Sequence, residues 1–199
     1  TQAVLESPEL RGVLARLVND DALAEALLAL APIALVYHWI ALTFAPAFVA
    51  LTSSDAIAGE LATGSARFAL FRTDRTAWAT GKLLGQSALL SVSLVLGAIG
   101  AFVAGWVQLA SFEPAATAVY LGRYAFTAFL FAFAHLGLIL GVSQITRSVP
   151  WSRALGLLAL VVAFGVHGWL VRTDLRDDAP VLFDTLAQLF PAAHRMDLW

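Results

Sequence analysis

Three histidines lie inside long apolar runs of the sequence, where an imidazole could relay a proton or bind a metal: His38, His135 and His167. Ionisable side chains within membrane spans are functional candidates, although histidine is the easiest of them to bury because it can be neutral. For each histidine separately, we therefore favour a packed, hydrogen-bonded side chain over a ligand. His135, nearest to mid-span, is the best candidate for an intramembrane polar site, His38 is also retained, and His167 is interpreted as structural.

The motifs of familiar catalytic centres are missing from the sequence. It contains no His-Glu-x-x-His pair, no Gly-x-Ser-x-Gly elbow and no cysteine. Gly81-Lys82 lacks the upstream glycine and the following hydroxyl of a phosphate-binding P-loop. The chain is therefore predicted to have no catalytic site, to hold no metal and to bind no ATP itself.

The composition is that of a membrane protein. Hydrophobic residues make up 60% of the 199 residues and charged residues only 13%, whereas a soluble domain carries about 25% charge. A soluble core could not absorb this much apolar surface without large exposed patches. The net charge of −2 and the lack of a basic cluster argue against nucleic acid as a partner.

Four apolar stretches are long enough to cross a membrane as helices, since about 20 apolar residues span a hydrocarbon core of ~30 Å. They cover residues 29–53, 83–108, 120–146 and 154–171. The flanking segments 1–28 and 172–199 are predicted to be amphipathic and extracytoplasmic. The sequence thus predicts an all-α, polytopic membrane helix bundle.

The stretch 54–82 joins the first two predicted spans and spaces polar residues between short apolar patches. This pattern is typical of an amphipathic connector on a membrane surface. Together with the turn at 147–153, it holds six of the twelve basic residues but only three of the fourteen acidic ones. Since short loops rich in Lys and Arg stay cytoplasmic, both segments are predicted to be cytoplasmic and both chain ends extracytoplasmic.

An extracytoplasmic N-terminus requires a further span to carry it across the membrane. At the other end, the segment that closes at Trp199 approaches the membrane again. We therefore expect six spans in the complete chain, of which four are visible here.

The connector resembles the cytoplasmic signature of ABC-2 type transporter permeases. The matching residues are Gly59, Glu60, Gly64, Ser65, Leu70, Arg75, Gly81 and Lys82. Ser65 stands where the family usually has Thr, Arg72 where it often has Pro, and Asp74 where it often has Ser.

The tail supports the same resemblance. Phe190-Pro191-Ala192-Ala193-His194 resembles the family's Ser-Pro-x-x-His segment, with Phe in place of Ser and with Pro191 and His194 matching. Among members partnered with an ATPase, the chain looks most like the nitrous-oxide-reductase-maturation type of permease.

This resemblance implies a permease subunit of the cell inner membrane, in which two permease chains and two ATPase chains assemble. ATP and magnesium would be bound by the cytoplasmic ATPase and not by this chain. The connector would be a coupling helix seated in a groove of the ATPase. An extracytoplasmic partner and membrane lipids are further expected contacts.

The resemblance also implies roles within the connector. Three apolar residues are expected to fill the groove: Phe68, Leu70 and Phe71. Three basic residues are expected to surround it: Arg67, Arg72 and Arg75. Glu60 is expected to cap or pair within the connector and to fix its angle.

Two other functions stay open at this point. One is an intramembrane enzyme that uses the three histidines, and the other is a membrane scaffold that anchors a partner without transport. The uniformly apolar spans favour a lipid-like substrate, or mechanical transmission to an extracytoplasmic partner, over a hydrophilic pore.

Overall fold

A computed structural model describes residues 32–109, 112–172, 180–191 and 193–194. Those residues form helices joined by turns, without a strand among them, so the all-α prediction is confirmed. The helices described are α1 (Pro32–Ser53), α2 (Asp55–Thr63), α3 (Ser65–Leu70), α4 (Arg75–Gln108), α5 (Pro114–Ser143), α6 (Val149–Arg172) and α7 (Pro180–Gln188). The amphipathic helices predicted at 1–28 lie outside the described residues.

Four helices are long and apolar enough to cross a membrane: the α1–α2 pair (Ile33–Thr63), α4, α5 and α6. α4 and α6 are only 17% buried over their most apolar windows. They expose large apolar side chains such as Leu96, Val107 and Val161. Surfaces of this kind are stable against lipid or other spans and not against water, so the polytopic membrane bundle predicted from the sequence is confirmed.

The helix that carries the second span is longer than the apolar run within it. α4 begins at Arg75, eight residues before the predicted start of the span at 83, because Asp74 caps it: the Ala77 N–H donates to Asp74 Oδ1 over 2.6 Å. Its 34 residues measure roughly 51 Å at 1.5 Å per residue, against a ~30 Å hydrocarbon core. The polar first two turns, Arg75 to Lys82, therefore belong to the connector as well as to the helix.

Among the described residues, one compact unit comprises 32–41, 92–109 and 112–128. Within it, the hydroxyl of Tyr37 donates to the carbonyl oxygen of Leu94 over 2.8 Å. Gly97 leaves room for this ring, since a Cβ there would lie 3.3 Å from Tyr37 Cε2. The first turns of α1 are thereby fixed against the second half of α4.

The other compact unit comprises Leu42–Ser91 and the described residues from 129 onward, and it contains the whole connector. Here Gly156 of α6 brings two neighbours close, because a Cβ on it would lie 3.4 Å from Ser54 Cβ and 3.5 Å from Ile139 Cδ1. α6 therefore packs closely against both the junction of α1 with α2 and the C-terminal part of α5.

α7 packs against the C-terminal part of α6 through aromatic rings. Trp169 and Phe183 have ring centroids 6.2 Å apart, and His167 lies at the same distance from Phe190 just after α7. His167 thus joins two helices by ring packing, as expected of a structural histidine. The interfacial position of α7 stays a prediction.

Candidate functional site

The connector is a bent helical unit and not a single helix. Ser54, between α1 and α2, keeps right-handed helical backbone angles. The bend comes at Gly64, which adopts a φ of +75° and separates α2 from α3. Thr63 Oγ1 and Ser65 Oγ lie 3.0 Å apart across it. After α3, a short turn over residues 71–74 leads into α4.

Replacing Gly64 with Ala is expected to destabilise the protein by about 1–2 kcal/mol, because an L-residue strains the left-handed backbone region. Gly85→Ala in α4 is the matched control, since neither glycine has a neighbour within 4 Å of an added Cβ and only Gly64 has a positive φ. Thermal unfolding of the detergent-solubilised protein measures the difference. Equal midpoints for the two variants would contradict the assignment of the bend to this φ.

The start of α2 is capped by another helix. Ser54 occupies the N-cap position without a side-chain cap bond. The buried hydroxyl of Ser143, the last residue of α5, instead accepts from the backbone N–H groups of Ile57 and Ala58 over 3.2 and 3.1 Å. The first N–H groups of a helix lack partners within it, so Ser143 ties α2 to the end of α5.

Two residues at the start of α6 contact the junction between α1 and α2. The buried Ser152 donates its hydroxyl to the carbonyl oxygen of Ser54. Next to it, Arg153 forms an ion pair with Asp55 over 2.8 Å. Side chains from both helices of the α5–α6 hairpin, Ser143 on one and Ser152 and Arg153 on the other, thus contact the start of α2.

Glu60 joins α2 to the first turns of α4. One carboxylate oxygen forms an ion pair with Lys82, and the other accepts from the indole N–H of Trp78 over 3.1 Å. The Glu60 and Lys82 side chains are about a quarter to a third exposed. Glu60 therefore links α2 to α4 within the connector, while its role in coupling to an ATPase stays a prediction.

The apolar groove-filling residues predicted at the connector point outward. Phe68 is 73% exposed and Phe71 is 86% exposed, whereas Leu70 is 37% exposed. Ala66 is the buried residue of α3, so this short helix rests on its small side chain and leaves two phenyl rings uncovered. Two exposed aromatic side chains three positions apart in the sequence are suited to an apolar pocket of another molecule.

The acidic groups near this surface are already engaged. Asp55 pairs with Arg153, Glu60 pairs with Lys82, and Asp74 caps α4. The exposed arginines form no ion pair within the described part of the chain: Arg67, Arg72, Arg75 and Arg147. The uncovered phenyl rings are therefore accompanied by uncompensated positive charge.

The histidines of the spans are packed among aromatic rings. His135 Nδ1–H donates to the Phe131 carbonyl oxygen over 2.9 Å, and the imidazole stacks on Phe164 at 5.6 Å. His38 is buried and stacks on Tyr124 at 4.2 Å. Among the residues the structure describes, no group of three or more His, Asp or Glu side chains could hold a metal ion.

The remaining motif residues lie in less constrained positions. Gly59 faces Val149 of α6, and a Cβ added to it would stand 3.8 Å away. Gly81 has open space around it. After α7 the chain turns past Pro191, and His194 Nε2–H donates to the Gln188 carbonyl oxygen over 3.0 Å. The tail motif therefore closes a local turn within this unit.

The sequence analysis did not identify the residues of the α5–α6 hairpin that hold the connector. Ser143 and Ser152 resemble ordinary hydroxyls at the ends of apolar runs, and Arg153 was counted only as a cytoplasmic charge. Their position beside the short polar turn is the only sequence signal that could have pointed to them.

Comparison with protein families gives one match of wide coverage. The family model described as "ABC-2 family transporter protein" matches residues 7–191. No curated protein matches the chain, and neither does any solved structure. The match is to the family as a whole, so the resemblance to the nitrous-oxide-reductase-maturation type stays a prediction.

Proposed function

Because the chain belongs to the ABC-2 transporter family, we propose that it is the permease subunit through which a separate ATPase drives export or conformational work across the membrane. Its four apolar helices place it in a membrane. Family membership implies association with an ABC ATPase. The connector is the proposed docking and coupling element.

The observation that carries this proposal is the exposure of Phe68 and Phe71 on a connector that is tied to α4, α5 and α6. ATP hydrolysis in another subunit can move this chain only through a rigid contact between the two subunits. Ser143, Ser152 and Glu60 provide that stiffness, since they tie α2 to α5, α6 and α4. A push on the two rings is thereby passed to the ends of all these spans as a rigid-body motion.

The chemistry of ATP is assigned to the partner. The sequence contains no P-loop, so ATP and magnesium are proposed to bind the ATPase, and this chain is proposed to be no enzyme. A second permease copy, an extracytoplasmic partner and membrane lipids complete the proposed assembly in the cell inner membrane. The intramembrane-enzyme alternative predicts that His135→Ala alone abolishes activity and that metal is bound.

The proposal is tested by the sidedness of the connector. The chain has no cysteine, so a single cysteine can be placed at Thr76, exposed near the start of α4, or at Val119, exposed near the start of α5. With a membrane-impermeant maleimide on intact cells, we expect Val119→Cys to react and Thr76→Cys to react only after lysis. Reaction of Thr76→Cys in intact cells would end the proposal.

Sidedness is followed by identification of the motor subunit. The affinity-tagged permease, solubilised with its lipids, is expected to retain an ATPase whose sequence carries a P-loop and whose hydrolysis rate rises on reconstitution with the permease. A permease that is fully active without any ATPase contradicts the proposal.

A further inference from the structure

A cleft of about 310 Å³ lies beside the bend of the connector. Leu61, Ala62 and Ala66 line it with apolar side chains, and Arg67 of α3 and Arg147 of the α5–α6 turn line it as well. Two segments far apart in the sequence thus place two positive charges around one concave surface.

These charges have no counterpart within the described residues. Neither Arg67 nor Arg147 forms an ion pair there, and the neighbouring acids Asp55 and Glu60 are held by other cations. Two arginine residues in the lining of one cleft favour an anion, and the planar donors of a guanidinium group suit the oxygens of a carboxylate or a phosphate. The lining of the cleft therefore has the charge that would suit an anion.

We propose that this cleft binds an acidic side chain of the docked ATPase, as a second contact beside the Phe68–Phe71 pair. This inference rests on the proposed function. The carboxylate would join the connector and the α5–α6 turn across one point, so the ATPase would engage both segments together. Ser143 and Ser152 already tie the connector to the α5–α6 hairpin. A force applied through the added contact would therefore move both segments as one body.

The placement of the connector favours a protein carboxylate over an anionic lipid headgroup. Arg75 lies seven residues before Lys82, which is roughly 10 Å along the axis of α4. The headgroup layer is only about 5–7 Å thick on each side. With α4 upright in the bilayer, the turn that leads from α3 to Arg75 would lie beyond the lipid phosphates, on the side of the proposed ATPase.

The test uses the full chain in nanodiscs of zwitterionic lipid and the purified ATPase identified by co-purification. Arg67→Gln and Arg147→Gln are each expected to weaken ATPase binding by about tenfold, and the double variant by little more, because one carboxylate contacts both guanidinium groups. The salt dependence of binding should fall in parallel. Arg123→Gln, at an exposed position near the other end of α5, is the matched control and should bind normally.

Three outcomes overturn the inference. If Arg147→Gln binds normally while aspartates at Phe68 and Phe71 abolish binding, the cleft is not a contact, although the proposed function stands. If neither the arginine variants nor the phenylalanine variants alter ATPase binding, both the cleft contact and the docking role of the connector are wrong. If phosphatidylglycerol in the nanodisc weakens ATPase binding to the wild-type chain but not to the double arginine variant, the occupant of the cleft is a lipid headgroup.

Discussion

Replacing Phe68 and Phe71 together with aspartate is expected to abolish ATPase association while membrane insertion stays intact. Each exposed ring is an anchor of the kind whose loss costs about 2 kcal/mol or more, so two together correspond to roughly a thousandfold in affinity. Folding is expected to be unaffected, because both side chains are largely exposed in the isolated chain. Binding of the purified ATPase to the permease in nanodiscs measures the effect.

The matched control adds the same two negative charges without removing a ring. Thr76→Asp with Ala79→Asp places them at exposed positions in the first turns of α4. A moderate loss of affinity is expected there, from weaker electrostatic attraction alone. Normal ATPase binding by the Phe68/Phe71 double variant would show that the connector is not the docking element.

Replacing Glu60 with Ala is expected to uncouple the two subunits without preventing their association. The change removes the ion pair with Lys82 and the acceptor of the Trp78 indole N–H, so α2 is no longer fixed to α4. The partly exposed carboxylate contributes about 1–2 kcal/mol through these contacts. Permease-stimulated ATP hydrolysis should fall about tenfold, while the Phe68–Phe71 anchor keeps the ATPase bound.

Two further variants separate the contacts of Glu60. Glu60→Gln keeps an acceptor for Trp78 but loses the ion pair, so it should retain part of the stimulation. Exchanging the charges, Glu60→Lys with Lys82→Glu, should recover more activity than either single change, with a coupling energy of about 1 kcal/mol. If the exchanged pair is no better than Glu60→Lys alone, the ion pair is not what holds α2 in position.

The sequence by itself determined the features that depend on composition and on local periodicity. Apolar runs of about 20 residues allow only spanning helices, because every backbone polar group must be satisfied inside the hydrocarbon layer. The spacing from Gly59 to Lys82 was sufficient to indicate the ABC-2 family, which the match over residues 7–191 confirmed. The sequence analysis named Gly64 only as a motif residue and Asp74 only as a departure from the family pattern, and the structure showed that the first makes the bend and the second caps α4.

The ends of the helices differ from the ends of the predicted spans for a physical reason. Apolar content marks where a helix meets lipid, whereas a helix ends where its backbone hydrogen bonds and caps end. The sequence analysis therefore began the second span at 83, while Asp74 starts α4 at Arg75. The extra turns carry Trp78 and Lys82, so the partners of Glu60 lie on α4 in the part of the connector that precedes the predicted span.

Only the tertiary structure decided what holds the connector rigid. Ser143 lies 86 residues from Ile57, and Ser152 lies 98 residues from Ser54, while helical periodicity relates residues three or four positions apart. The pairing of Glu60 with Lys82 and the meeting of Arg67 with Arg147 in one cleft likewise require helices to be placed side by side. The residues of the proposed docking surface were therefore available from the sequence, but the contacts that hold it in place come from packing between distant segments.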